Sequence, residues 1–140
     1  ARLEAGTLNM LGILAFEECL NDLTAAEQTS RLQRERGLLQ RLRKGLLPLP
    51  GVSVFGGHDP DRQVPLLSCA VHGIPAADVG AILDGDFDIA VRTGLHCAPL
   101  AHENLDTRPH GTVRFSLGTV TTTDDIDAAV TAMTSITAIR

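Results

Sequence analysis

One stretch of this 140-residue chain concentrates groups able to do chemistry: Arg92-Thr93-Gly94-Leu95-His96-Cys97-Ala98-Pro99-Leu100-Ala101-His102, with Arg114 seventeen residues beyond Cys97. A free thiol has a pKa near 8.5 and is only a few per cent thiolate at neutral pH, and a neighbouring cation lowers that pKa by about one unit or more. Arg92 and His96 are the sequence neighbours placed to do this for Cys97, the candidate nucleophile. The forked guanidinium of Arg114 can grip both oxygens of a carboxylate at once, which a lysine cannot. Arg92 either supports the loop or a substrate, or pairs with an aspartate such as Asp86 or Asp88. His96 and His102 can carry protons near neutrality. Together with Cys97 they offer metal-ligand atoms, but adjacent ligands with no second cysteine nearby make poor tetrahedral spacing, so no metal is expected.

The other candidate groups read as structural. Cys19, Cys69 and Cys97 are odd in number and far apart with no C-x-x-C pair, which signals neither a disulfide framework nor a zinc ribbon. Cys19 lies on an apolar helical stripe and Cys69 in an apolar strand, so both are expected in a core, the common fate of a free cysteine. His58, His72 and His110 fall in turns and are expected to be solvated.

The elements that must position Cys97 and Arg114 follow from periodicity and caps. Residues 1–9 form an irregular approach ending on Asn9, a good N-cap. Ile13, Phe16, Leu20 and Leu23 recur at helical spacing from Met10 to about Leu23. Thr24-Ala25-Ala26-Glu27 is a capping box opening a second helix to about Leu46, with Leu32, Leu39, Leu42 and Leu46 as its stripe. Gly37 inside it marks a close approach. Val52 to Phe55 and Val64 to Val71 read as strands of an antiparallel hairpin. A helix is expected from Ala76 to Leu83 behind Pro75, then a Gly85-Asp86 turn and a strand from Ile89 to Arg92. Pro99 is expected to stop any helix after the cysteine. A strand over Thr112 to Leu117 brings Arg114 back, and Thr122 with Asp124, Asp125 and Asp127 opens a last helix along Ile126, Val130, Met133 and Ile136. Four short strands and four helices of this order favour an α+β two-layer domain, a small, mainly antiparallel sheet covered by helices.

Composition limits the alternatives. The apolar fraction is 44%, which supports a real core and argues against disorder. The net charge of −5, spread arginines, four Phe and no Trp or Tyr argue against a nucleic-acid surface. The most apolar window, Met10 to Leu20, is interrupted by Gly12, Glu17 and Glu18 and is too short to span a bilayer, so no membrane is expected. The unpaired cysteines favour a reducing, cytoplasmic compartment.

Arg92 to Pro99, the later Gly111-Thr112-Val113-Arg114-Phe115-Ser116, and the opening Arg2-Leu3-Glu4-Ala5-Gly6-Thr7-Leu8-Asn9 together resemble the C-terminal part of a cysteine desulfurase. These are pyridoxal-phosphate enzymes of the class V aminotransferase group. The resemblance covers nearly the whole chain, and it is closest to the branch whose cysteine sits in Arg-x-Gly-x-His-Cys. That branch often has a second histidine where this chain has Leu95. It implies that residues 1–140 are one domain, the small domain of a fold-type I enzyme, with residues 1–9 arriving from a missing N-terminal pyridoxal-phosphate domain. It implies Cys97 as the persulfide-forming nucleophile, His96 as a proton or orientation partner, and Arg114 as the clamp on the substrate α-carboxylate, with Arg92 and Asn9 on the substrate side. Gly6-Thr7 resembles the segment that reaches the coenzyme phosphate across a homodimer. The family's Schiff-base lysine has no counterpart here, because the one lysine, Lys44, sits in an unrelated setting. The resemblance therefore implies a chain that does not turn over cysteine alone, with a parent that converts L-cysteine to L-alanine. That parent passes sulfur to an acceptor protein, for instance in iron–sulfur cluster assembly. Two other readings stay open: a selenocysteine lyase or another class V enzyme, and a non-catalytic interaction domain.

Overall fold

The computed structural model describes residues 6–21, 23–57, 59 and 62–138. The expected histidine turn at His58 and the opening segment Arg2 to Ala5 lie outside the described residues. The chain divides into two compact units, residues 1–31 and 32–140.

In the first unit, α1 spans Met10–Asn21. Asn9 caps it as expected: the Gly12 N–H donates to Asn9 Oδ1 at 3.1 Å. No residue of α1 is buried, and the stripe Ile13, Phe16 and Leu20 is exposed. Cys19 is exposed as well, which corrects its expected place in a core. Periodicity reports that a helix has an apolar face, not what covers that face. The capping box forms at the start of α2, Ala25–Leu46: the Glu27 N–H donates to Thr24 Oγ1 at 3.3 Å and the Thr24 N–H to Glu27 Oε2 at 3.2 Å.

The second unit is an α+β two-layer arrangement. Strands β1 (Val52–Phe55), β2 (Leu66–Val71), β3 (Arg92–Gly94) and β4 (Thr112–Ser116) form one antiparallel sheet of order β1-β2-β4-β3. Its core face carries Leu67, Cys69, Val113 and Phe115. These pack with Leu38, Leu39, Leu42 and Leu46 of α2, Val79 and Leu83 of α3 (Ala76–Phe87), and Ile126, Met133 and Ile136 of α5 (Thr123–Ala138). The expected Thr122 cap of α5 forms, with the Asp125 N–H donating to Thr122 Oγ1 at 3.2 Å.

Several expectations need correction. β2 starts at Leu66 rather than Val64, which is exposed. α3 runs through the expected Gly85-Asp86 turn and ends on Asp88, whose left-handed φ of 55° turns the chain out. Strand pairing therefore begins late, at Arg92 instead of Ile89. Pro99 does not stop a helix but starts one, α4 (Pro99–Asn104), at the position where its missing N–H costs nothing. The described residues thus hold five helices, one more than expected. A Cβ at Gly37 would meet only open space, whereas one at Gly45 would run into Val130 of α5. The close helix approach is at Gly45.

Candidate active site

Antiparallel register decides which side chains share the other face of the sheet. Phe55 pairs with Ser68, Ser68 with Arg114, and Arg114 with Arg92, a row running across all four strands. Two arginines opposite each other on one face repel and lower strand stability. Among the described residues neither is in an ion pair, unlike Arg41, which pairs with Asp127, and Arg108, which pairs with Glu103. Arg92 therefore does not pair with Asp86 or Asp88. Arg114 is half-buried, and its Nε is buried without a hydrogen-bond partner. A buried guanidinium N–H left unpaired costs free energy, which an anionic ligand would recover.

The segment from Leu95 to Gly111 folds over this face and closes a cleft of about 320 Å³, lined by Phe55, Leu66, Ser68, His96, His102, Thr112 and Arg114 among others. Its ends approach closely. Gly111 has φ 70°, and a Cβ there would overlap the backbone of Gly94, so only glycine serves. At the start of the segment the Ala98 N–H donates to the Leu95 carbonyl at 2.8 Å. The two central residues of that turn, His96 and Cys97, have φ of 51° and 59°. Positive φ at both positions belongs to a type I′ turn, which normally takes Asn-Gly. Held by two non-glycine residues, it stores roughly 1–3 kcal/mol at each.

The turn leaves Cys97 exposed and puts His96 against the cleft. His96 Nε2 lies 3.1 Å from Thr112 Oγ1, while Nδ1 is buried with no partner. Loss of hydration and the nearby Arg114 charge both hold the imidazole below its usual pKa, so it favours the neutral form that can accept a proton. Cys69 contrasts with Cys97: it is buried on the core face, and burial alone pushes its thiol up to about 12. This agrees with its expected structural role.

The second unit thus brings Arg92, His96, Cys97 and Arg114 into one neighbourhood. Gly6, Thr7 and Asn9 belong to the first unit, where all three are exposed and Gly6 has φ 96°. A larger hollow of about 530 Å³, with Ser53, His72, Arg108 and His110 in its wall, contains none of the expected site residues. Sequence reasoning missed Ser68 and Thr112 as cleft residues. Thr112 was findable, since it sits two residues before Arg114 in the same strand and so on the same face. Ser68 was not, because only strand register places it beside Arg114.

Residues 1–129 match the profile of the aminotransferase class-V family. The chain belongs to that family. Among curated relatives, a probable cysteine desulfurase of Pseudomonas aeruginosa is 33% identical over 124 residues, covering 89% of this chain and 29% of that protein. A cysteine desulfurase of Escherichia coli is 32% identical over 137 residues, covering 96% and 32%. The apo cysteine desulfurase of Thermococcus onnurineus superposes with a TM-score of 0.88 at 28% identity, covering 99% of this chain and 34% of that one. The S-sulfonic acid form of the Escherichia coli cysteine desulfurase CsdA gives 0.79 at 28% identity, covering 99% and 33%. This class-V chain therefore spans about a third of the length of the relatives it matches. Among its described residues, no helix is long and apolar enough to cross a membrane, and no group of three or more His, Cys, Asp and Glu side chains could hold a metal ion.

Proposed function

We propose that this chain is the small, carboxy-terminal domain of a longer pyridoxal-phosphate cysteine desulfurase, and that it supplies the sulfur-accepting thiol and the carboxylate clamp. The observation that carries the reading is Arg114, whose buried, unpartnered Nε lies in the wall of a cleft whose lid bears an exposed cysteine. Arg114, with Arg92 across the strand pair, binds the α-carboxylate of L-cysteine and orients its sulfur toward Cys97. The Cys97 sulfur forms a bond to the substrate sulfur, and the substrate carbon–sulfur bond breaks with its electron pair left on carbon. A proton completes that carbon as L-alanine, and Cys97 remains as a persulfide. His96, neutral and facing the cleft, takes the thiol proton or orients the attacking sulfur. Exposure of Cys97 then suits delivery of the outer sulfur to an acceptor protein.

Pyridoxal phosphate supplies the electron sink in such chemistry and is held as a Schiff base by a lysine. The chain's one lysine, Lys44, is exposed on the last turn of α2, a helix on the core side of the sheet. These residues do not fit covalent attachment, so the coenzyme belongs to the rest of the longer protein and the chain alone is inactive. Gly6 and Thr7 fit a lesser part, a backbone amide and a hydroxyl for the phosphate across a homodimer in the cytoplasm; Asn9, already a cap, would lie near the substrate.

The test is made in the full-length protein. Arg114→Lys should lower kcat/KM for L-cysteine by roughly 10- to 150-fold, the worth of a lost charged hydrogen bond. Cys97→Ala should end persulfide formation and alanine release from L-cysteine. Unchanged activity in Cys97→Ala would remove the nucleophile, and retention on selenocysteine alone would move the reading to a selenocysteine lyase.

A further inference from the structure

The segment carrying Cys97 is held down by a side chain with no part in the chemistry above. His102, on α4, is only 5% exposed, the sole buried imidazole among the described residues. A buried imidazole needs partners. Its Nδ1 lies 2.7 Å from Thr107 Oγ1, and its own carbonyl accepts the Thr107 N–H at 2.9 Å. Thr107 in turn accepts the Gly111 N–H at 2.7 Å, the residue that abuts Gly94. On its other side the His102 ring stands 5.7 Å from the His96 ring, tilted by 45°. His102 thus touches both halves of the segment: the returning limb through Thr107, and the strained turn through His96.

We infer that His102 is a positioning residue for Cys97: its bond to Thr107 latches the Leu95–Gly111 segment and backs the His96 ring, which keeps the His96-Cys97 turn in its left-handed conformation. Two left-handed non-glycine residues in a row persist only where their surroundings over-determine them. The turn's own 2.8 Å hydrogen bond and the His96–Thr112 bond are two restraints. The His102–Thr107 latch is the third, and it sits far enough from the turn to be removed without touching the cysteine. The inference refines the proposed site but rests on geometry that needs neither substrate nor coenzyme.

The test uses the full-length protein, with amide hydrogen exchange over residues 95–111 and the rate of Cys97 alkylation relative to Cys19 as readouts. His102→Leu and Thr107→Val should each speed exchange in that segment by about tenfold or more, with β2 and β4 unaffected. Each should also change the Cys97-to-Cys19 alkylation ratio by about threefold or more. The double variant should be no worse than either single one, since both remove the same bond. His102→Asn, which keeps a polar atom near the Nδ1 position, should restore the wild-type pattern. Unchanged exchange over 95–111 in Thr107→Val, or a His102→Leu whose only effect is a lower melting temperature, would make His102 mere filling and overturn the inference. Should His102→Leu not fold, Thr107→Val alone decides. A failed Arg114 test in the full-length protein leaves these readouts intact, so the two ideas fail separately.

Discussion

Ser68 and Cys69 are neighbours in one strand and face opposite environments. From Cys69 the sheet looks into a core of leucine, isoleucine and methionine in which every side chain is covered by another. From Ser68 it looks onto two arginines, two histidines and a threonine, of which His96 and Arg114 each have a buried polar atom lacking a partner. The first face is arranged as folding demands, with apolar area removed from water at about 25 cal/mol per Å². The second is arranged against folding: like charges paired across strands, orphaned donors and a turn in a strained conformation. Sites where local rules fail together are where function is expected to reside.

The comparison breaks first on thiol chemistry, where the largest difference is expected. Cys69, with its thiol pushed up to about 12, is essentially never ionised at neutral pH. Cys97 and Cys19 are exposed. Native alkylation at pH 7.5 should label two cysteines per chain, with Cys69 slower by on the order of a thousandfold or more. Peptide mass mapping would check it. Labelling of Cys69 at a comparable rate would mean that the core face is open.

Next in size is stability. Leu67→Ala on the core face should cost about 2–5 kcal/mol. Arg114→Met on the cleft face should fall within about 0.5 kcal/mol of wild type or gain slightly, because it relieves the Arg92 repulsion and the unpaired Nε. Urea unfolding of the two variants measures the contrast. A cost above about 2 kcal/mol for Arg114→Met would show that the arginine holds the fold rather than a ligand.

Those two faces were not equally legible in the sequence. The core face could be read in part: the apolar strand pointed Cys69 to a core, and the Thr122–Asp125 and Thr24–Glu27 caps located two helices. Cys97 can be singled out as a candidate nucleophile from its arginine and histidine neighbours, whereas the clamp role proposed for Arg114 comes from the family resemblance alone. What escaped depended on three-dimensional closure. Proline at the first turn and proline as a terminator look alike, so the sequence alone does not reveal α4. Glycine marks a close approach only when the neighbour is known, so the sequence points to Gly37 although it is Gly45 that meets Val130. The burial of His102 follows from Thr107 folding back on it, and no local pattern announces that.

The smallest expected effect tests whether the cleft's charges weigh on the fold. His96 has its pKa lowered by lost hydration and by Arg114, so the folded chain favours the neutral ring more than the unfolded chain does. As pH falls below the unfolded value of about 6.5, the unfolded chain takes up the proton first. Stability that is full above that pH is therefore lost as pH falls toward and through the folded pKa. The carboxylates held low by hydrogen bonds, Asp125, Asp127 and Glu27, act only below their ordinary values of 3.8 to 4.5, so the window between pH 6.5 and 5 separates the histidine from them. Urea unfolding across that window should show wild type losing stability more steeply than His96→Asn, a substitution that tolerates the left-handed φ. Equal slopes would mean that the arginines are screened by solvent and that the cleft face carries less electrostatic strain than its geometry implies.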